Sequence, residues 1–482
     1  MNFKYIIQFS EVHFKLVTNT SSVIFHCFLS PFLTSSLPHS LAFRLFSPYN
    51  KVMKKNIKKR DSWYKLDLSA NVYPTLQRKD FSSVYRISVT LKETIQPDLL
   101  QQAVDLTLPR FPTFKTALRR GFFWRYLEPN DRPGPFVRPD IQNPCMHMNF
   151  HADNRYLIRI YYYQKRISLE AFHSLSDGSG ALFLLRTITA VYLRLLGHEI
   201  PNTMGVLDIN EEPTEGELED AYMKYASSKI CPPRSQGSAY RVRGTSEPLN
   251  TLNIICGVIP VDQILKVTRK YKVSVTEYLN AVLLYALMQK QKSDKVFREK
   301  PLKLALPVNL RRFFPSDTLR NFITMVYPAI DPRMGDYSFE DILLQVHHYM
   351  RYYLNNKFLN ADITTNAMTQ KNPFIRVVPL FIKDMVVKHF YTRVQDCQSS
   401  AGLTNLGIIQ LSEEMQQHVE RFDVLMGQPF SARTNCAIVS YQNILTVNFA
   451  SGIKETDVER FFFRKLIEDG IHVKIETNRN ME

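Results

Sequence analysis

Glycine is scarce: only 16 of 482 residues are Gly, and neither a P-loop nor a Rossmann glycine fingerprint occurs. Nucleotide binding through a glycine-rich phosphate loop therefore has no support. Cysteine is also thin. The six residues Cys27, Cys145, Cys231, Cys256, Cys397 and Cys436 are scattered, with no CxxC pair. Scatter of this kind reads as free thiols in a reducing, cytoplasmic compartment rather than a disulfide framework. No stretch reaches the run of about 18 apolar residues that spans a bilayer. The best candidate, Ser21 to Leu37, is interrupted by His26, Pro31 and several Ser and Thr. An integral membrane protein is thus not expected. Zinc-finger spacing, an RNP-like strand and an arginine-rich arm are all missing from the globular part, which weighs against nucleic acid as a partner.

What is present is ordinary globular material. Hydrophobic content is 45% and charged content 22%, while 32 Phe and 24 Tyr point to large aromatic cores. The length suffices for two lobes of roughly 200 residues each. Net charge is +16. Residues 1–60 hold nine Lys and Arg against the single acid Glu11, so they supply half of that surplus. Five of the nine fall in Lys54, Lys55, Lys58, Lys59 and Arg60. The remaining surplus is modest and suits a phosphorylated small molecule as well as a polymer. Residues 1–60 read as a basic extension, either disordered or the product of a misassigned start. Met53-Lys54-Lys55-Asn56 would open a natural basic N-terminus, and Lys4 before a broken apolar stretch makes a poor targeting signal.

Periodicity divides the rest into mixed α and β layers. Strands are predicted at 81–91, 122–127, 156–164 and 166–172, with a helix opening at Pro97. The strongest helix spans 179–196, capped by Asp177 or Ser179 at one end and by Gly197 at the other. Residues 199–250 change character, with an acidic patch (Glu211, Glu212, Glu215, Glu217, Glu219, Asp220) before Cys231-Pro232-Pro233. This reads as a crossover linker. The expected division is therefore 1–60 extension, 61–198 N-terminal lobe, 199–250 linker and 251–482 C-terminal lobe. In the last, strands are predicted at 251–258, 302–307, 322–328, 436–440 and 444–449. Helices are predicted after Pro260 and over 276–291, 338–354 and 373–390, with another from Glu455.

The chemical signal is His173-Ser174-Leu175-Ser176-Asp177-Gly178, an H-x-x-x-D-G pattern on a strand-to-helix turn. Chance places such a pattern in this chain with a probability of roughly 0.02, so its position between strand and helix carries much of its weight. A histidine with an ordinary pKa near ~6.5 can accept a proton at neutral pH. At a turn edge its ring can face a cleft, while Asp177 faces inward and Gly178 lets the chain turn. Two readings stand on these residues alone: a general base, or a helix cap beside a chance core histidine. Pro307-Val308-Asn309-Leu310-Arg311, with Asn321-Phe322 following, supplies a cation in the other half. A buried Asp177 needs such a partner, and Arg311 offers a guanidinium fork; otherwise Arg311 and Arg312 are solvated loop charges.

The His173–Gly178 pattern resembles the motif of the condensation-domain and coenzyme A-dependent acyltransferase superfamily. The segment Val308-Asn309-Leu310-Arg311 with Asn321 resembles the one whose arginine pairs with the motif's aspartate there. Arg110-Phe111-Pro112-Thr113-Phe114-Lys115 and Gly121-Phe122-Phe123-Trp124 look like the bacterial alcohol acetyltransferase-like branch. Leu403-Thr404-Asn405-Leu406-Gly407 is similar to its S/T-N-x-G element. The likeness covers about 61–475. Phe172 replaces the first His of the HHxxxDG form, and the D-F-G-W-G motif of plant BAHD enzymes is absent.

The resemblance implies an α+β fold of two chloramphenicol acetyltransferase-like lobes, each a mixed sheet with flanking helices, joined by a crossover. It implies a tunnel between the lobes with His173 midway, acting as general base. Asp177, Gly178 and Arg311 become structural, with Asn405 and Asn321 as candidates for the oxyanion or tunnel wall. The expected activity is transfer of an acyl group, most simply acetyl, from a coenzyme A thioester to a small alcohol or amine. Acyl-CoA is then a co-substrate, with no bound cofactor or metal, in a monomer. The alternatives are a carrier-protein donor with condensation or glycolipid acylation, and a non-catalytic tunnel-containing binding protein. A basic membrane-surface protein rests only on Lys51–Arg60. His147 and His151 lack a third ligand, His347 and His348 read as core plus surface, and Ser176 and Ser179 lack a nucleophile elbow.

Overall fold

A computed structural model describes residues 63–78, 81–228, 237–294, 299–393, 398–427 and 434–479. The 1–60 extension and the Met53 start lie outside the described residues, as do Cys27, Cys231 and Cys397. Cys145, Cys256 and Cys436 are buried free thiols.

The strands are β1 (Tyr64–Lys65), β2 (Val84–Leu91), β3 (Thr116–Arg120), β4 (Arg125–Pro129), β5 (Val137–Pro139), β6 (Ile158–Tyr163), β7 (Arg166–Phe172), β8 (Asn253–Pro260), β9 (Leu302–Asn309), β10 (Ile323–Val326), β11 (Ala329–Ile330), β12 (Ala401–Ile409), β13 (Val419–Met426), β14 (Thr434–Tyr441), β15 (Ile444–Ser451) and β16 (Lys474–Thr477). The main helices are α1 (Leu68–Leu76), α2 (Pro97–Thr107), α3 (Gly178–Leu195), α4 (Val261–Tyr271), α5 (Val275–Ser293), α6 (Phe339–Tyr353), α7 (Asn356–Lys371), α8 (Pro373–Val377), α9 (Leu380–Arg393) and α10 (Asp457–Glu468). Two mixed sheets organise them. A five-stranded sheet runs β13-β2-β7-β6-β5, and an eight-stranded one runs β10-β9-β12-β14-β15-β8-β16 with β11 on β9. One apolar core gathers around the five-stranded sheet and takes in Ala437, Val439 and Tyr441 of β14; a second gathers around the eight-stranded sheet, which gives two lobes.

Strand β2 shows how the first lobe is built. Tyr85, Ile87, Val89 and Leu91 alternate onto one face and join the apolar core. Arg86 and Ser88 point the other way and are buried too, so each carries a partner. Arg86 pairs with Glu170, and Ser88 bonds Ser168 at 2.9 Å. Helix α2 begins with Pro97 at its first turn, as predicted, and packs on α3. Helix α3 ends in a Schellman motif. The Gly197 amide donates to Arg194 O at 2.9 Å and the His198 amide to Leu193 O at 3.1 Å, with Gly197 at φ +96°. In the second lobe α5 is buried almost throughout and starts in a Ser274–Glu277 capping box.

Several elements differ from expectation, each for a local reason. Residues 122–127 form no continuous strand: β3 and β4 make a hairpin whose turn is Gly121–Trp124, closed by Gly121 N–H to Trp124 O at 2.9 Å. The single helix predicted over 373–390 is two, because Pro379 supplies no amide and holds Val378 extended at ψ 129°. Helix α7 is unforeseen, with polar residues hiding its buried stripe of Leu359, Ile363 and Ala367. Strands β12, β13 and β16 are also unforeseen.

Strand β13 departs most from the sequence reading. Expected with the C-terminal lobe, it is hydrogen-bonded into the N-terminal sheet, antiparallel to β2, with Phe422 opposite Val89 and Val424 opposite Ile87. It ties the lobes together through the backbone. Gly427 stands where it leaves the sheet. A Cβ there would lie 2.4 Å from Val84 O and 2.7 Å from Ser82 O, two backbone atoms that cannot swing away. Gly427→Ala is predicted to cost about 1–3 kcal/mol, read as a lower midpoint in urea unfolding. An unchanged midpoint would show that the crossover strand is not tightly seated.

Candidate active site

His173 follows directly on β7, and four anchors fix its turn. Its amide donates to Ser83 O at 3.0 Å, at the start of β2. Its carbonyl accepts from Asn321 Nδ2 at 2.8 Å. Ser174 Oγ donates to Ala70 O of α1 at 2.7 Å, and Ser176 Oγ to Leu319 O at 2.5 Å. Two of these anchors, Leu319 and Asn321, come from the second half of the chain. The turn is therefore built by both lobes.

Asp177 is the centre of that joint. Its Oδ1 accepts from the Ser179 and Gly180 amides, both at 3.1 Å, capping α3. Its Oδ2 accepts from Arg311 Nη1 at 2.7 Å and from the Phe322 amide at 2.9 Å. Arg311 spends its other nitrogens on Thr318 O and Arg320 O. Asn309 holds the Arg311 amide through Oδ1 at 3.1 Å and donates through Nδ2 to Ser179 Oγ at 2.9 Å. Side-chain exposure is 3% for Asp177 and 14% for Arg311, so this is a buried, fully hydrogen-bonded ion pair. The carboxylate makes no bond to the imidazole; it shapes the turn.

The ring lies between two tyrosines. Tyr73 of α1 stacks on it with centroids 4.8 Å apart and planes 19° off parallel. Tyr85 of β2 is tilted at 46° with centroids 4.5 Å apart. The Tyr85 hydroxyl reaches the carbonyls of Ser176 at 3.1 Å and Asp177 at 3.0 Å, bracing the same turn. Nδ1 is buried without a hydrogen-bond partner, while the residue as a whole keeps part of its surface open. Burial pushes the imidazole pKa down to about 4. The Asp177 carboxylate, the Asn321 side chain and the Ser176 backbone favour the protonated ring and offset that only in part. At neutral pH the imidazole is unprotonated.

The remaining candidates take other places. The Asn405 Nδ2 group donates to Thr276 Oγ1 at 2.9 Å, and its Oδ1 accepts from the Gly407 amide at 2.8 Å. It stabilises a register shift in β12, where Gly407 has φ +88°. One of the two Asn405 Nδ2 hydrogens is thus engaged. Asn321 likewise gives one Nδ2 hydrogen to the His173 carbonyl. Gly178 is the first residue of α3, and a Cβ on it would meet Leu406 Cδ1 at 3.1 Å, a yielding neighbour. The tight position is Gly180, where a Cβ would lie 2.1 Å from Leu319 O. Sequence reasoning missed Gly180, Tyr73 and Tyr85; only the alternation of β2 hinted at Tyr85 facing the turn.

Among the described residues no group of three or more His, Cys, Asp or Glu could hold a metal. His347 Nδ1 lies 3.2 Å from Glu277 Oε1, with Nε2 accepting from Arg351. A cavity of about 520 Å³ opens between β2, β13, β8, β15 and β16, with Arg86, Arg166, Arg421, Asp140, Asp423 and Glu476 on its wall. His173 is not on that wall, although the resemblance implied a tunnel with His173 midway.

Sequence and structure comparisons meet this geometry in the second lobe. Residues 245–451 match the alcohol acetyltransferase family. That span contains Arg311, Asn321 and Asn405 but ends short of the His173 turn on its N-terminal side. No curated protein matches the chain at the sequence level. F. graminearum TRI101, solved with coenzyme A and deoxynivalenol, is similar in fold, with a TM-score of 0.57 at 11% identity, covering 86% of this chain and 100% of that one. The trichothecene 15-O-acetyltransferase TRI3 of Fusarium sporotrichioides gives 0.54 at 12%, covering 84% and 94%. The wax ester synthase/diacylglycerol acyltransferase of Marinobacter aquaeolei VT8 gives 0.50 at 13%, covering 84% and 100%. The chain thus has the fold of these solved structures, the two-lobed one expected from the resemblance to condensation-domain and coenzyme A-dependent acyltransferases, and its second lobe matches the alcohol acetyltransferase family.

Removing one partner of a buried pair leaves the other charge stranded. Arg311→Ala is predicted to lower the unfolding free energy by about 3–5 kcal/mol, with Arg311→Lys restoring only part because an ammonium lacks the fork. Urea unfolding measures both; a loss below about 1 kcal/mol, the worth of an exposed pair, would contradict the geometry.

Proposed function

We propose that this protein transfers an acyl group from a coenzyme A thioester to an alcohol, with His173 as general base. The observation that supports this best is a neutral, partly open imidazole held on a turn that both lobes build. The family match over the second lobe agrees with it. An unprotonated ring nitrogen takes the proton of the acceptor hydroxyl as its oxygen attacks the thioester carbonyl carbon. Collapse of the tetrahedral adduct breaks the C–S bond, and the imidazolium returns its proton to the departing thiolate. The ester and free coenzyme A leave, and no acyl-enzyme forms.

The buried Asp177 carboxylate assists without touching the ring. Its charge favours the imidazolium that appears during the reaction, the same direction in which it acts on the resting pKa. Tyr73 and Tyr85 keep the ring in one plane, which preserves the attack geometry. Burial makes His173 a weak base at rest, but no proton competes for it near neutral pH.

The test is release of thiol from acetyl-CoA across a panel of alcohols. His173→Ala is expected to lower kcat/KM by about 10²–10⁴-fold with the fold retained by circular dichroism. Equal turnover by wild type and variant would overturn the assignment of the base.

A further inference from the structure

Large apolar side chains are exposed together on one part of the surface. Phe374 and Val377 of α8 are 57% and 48% exposed, and Phe381 and Met385 of α9 are 60% and 65% exposed. Phe122, in the β3–β4 turn, is 67% exposed. These positions are joined. The Leu380 amide donates to Phe122 O at 2.8 Å, and Lys383 Nζ reaches Phe123 O at 2.8 Å and Arg376 O at 3.4 Å. Spacing of four puts Phe381 and Met385 on one outer stripe of α9, continued by exposed Lys388. The opposite side of the helix faces inward: Leu380 is 5% exposed, and Asp384 bonds Arg125 at 2.7 Å and Thr75 at 3.0 Å.

Charge selects the partner. Residues 371–388 carry Lys371, Arg376, Lys383 and Lys388 against the single acid Asp384, which is spent on Arg125. Arg120, beside the Phe122 turn, is 63% exposed and lies 3.5 Å from the same Asp384 carboxylate. An apolar face with a cationic margin matches an anionic lipid interface, where rings and aliphatic chains enter the acyl boundary and cations meet headgroups. No helix among the described residues is long and apolar enough to cross a membrane, so the contact is with its surface.

We propose that α8, α9 and the β3–β4 turn dock this protein on an anionic lipid surface and that its alcohol acceptor is lipophilic, drawn from that surface. The proposal rests on the acyltransferase reading given above. The route is short: α9 bonds Thr75 of α1 through Asp384, and α1 carries the Tyr73 that stacks on His173. A docked face is thus one helix from the imidazole.

Co-sedimentation of the full chain with phosphatidylcholine vesicles, with and without phosphatidylserine, tests this. Wild type should bind the anionic vesicles, and more weakly as salt rises. The double variant Phe381→Asp/Met385→Asp, which leaves the basic N-terminal residues untouched, should lose about tenfold or more of that binding. It should turn over a short water-soluble alcohol like wild type, yet acylate a long-chain alcohol held in vesicles far more slowly. Wild type that ignores both vesicles, a variant that binds like wild type, or a wild-type dimer that the variant abolishes would each overturn the proposal. Those outcomes with short-alcohol turnover intact sink the docking alone. Absent turnover of every alcohol in wild type sinks the enzymatic reading instead.

Discussion

The Asp177 carboxylate is 3% exposed, and a bare negative charge at that depth would be untenable. Four donors answer it. Two are amides of the first turn of α3, one is the Phe322 amide, and one is the Arg311 guanidinium. Everything at the site follows from satisfying that one group. The helix start fixes the turn, and the turn fixes His173. The requirement for Arg311 and Phe322 brings the second lobe against the first. Once there, Asn321 and Leu319 bond the same turn, and Gly180 lets the Leu319 carbonyl approach. The site exists only when the lobes are joined, and β13 holds them joined by backbone pairing.

The imidazole inherits its electrostatics from this construction. Burial between Tyr73 and Tyr85 disfavours the charged ring more than Asp177 favours it. A base kept neutral at rest and placed near an unreactive negative charge suits a reaction in which it must carry positive charge for a moment. The same arrangement explains why Asp177 is not a proton relay: both of its oxygens are occupied by groups that cannot give their bonds up without unfolding the turn.

Much of this was legible before any coordinates. His173, Asp177 and Arg311 could be named because a motif on a strand-to-helix turn and an arginine after a distant strand are local patterns. Helix α3 was legible to its cap, since its apolar period and Gly197 are strong signals. Strand β13 was not. Its apolar face, Phe422 and Val424, is interleaved with Arg421 and Asp423, which line the cavity, Asp423 buried and Arg421 partly so and paired with it at 2.9 Å, rather than facing open solvent. Its partner β2 lies more than 300 residues away, beyond any local pattern. Asn405 has a place the sequence did not show: it serves the backbone bulge beside it, and nothing in the residue string separates that duty from a catalytic donor's. Tyr73 escaped because a ring contact across two elements has no period.

The most direct measurement is kcat/KM for acetyl transfer as a function of pH, with stability of the folded protein checked across the same range. A base whose pKa is lowered to about 4 is unprotonated from neutral pH down to near pH 5, so activity should hold there and fall as pH drops through about 4. An acid limb centred near the ordinary histidine value of about 6.5 would contradict the buried, neutral His173 on which the mechanism depends.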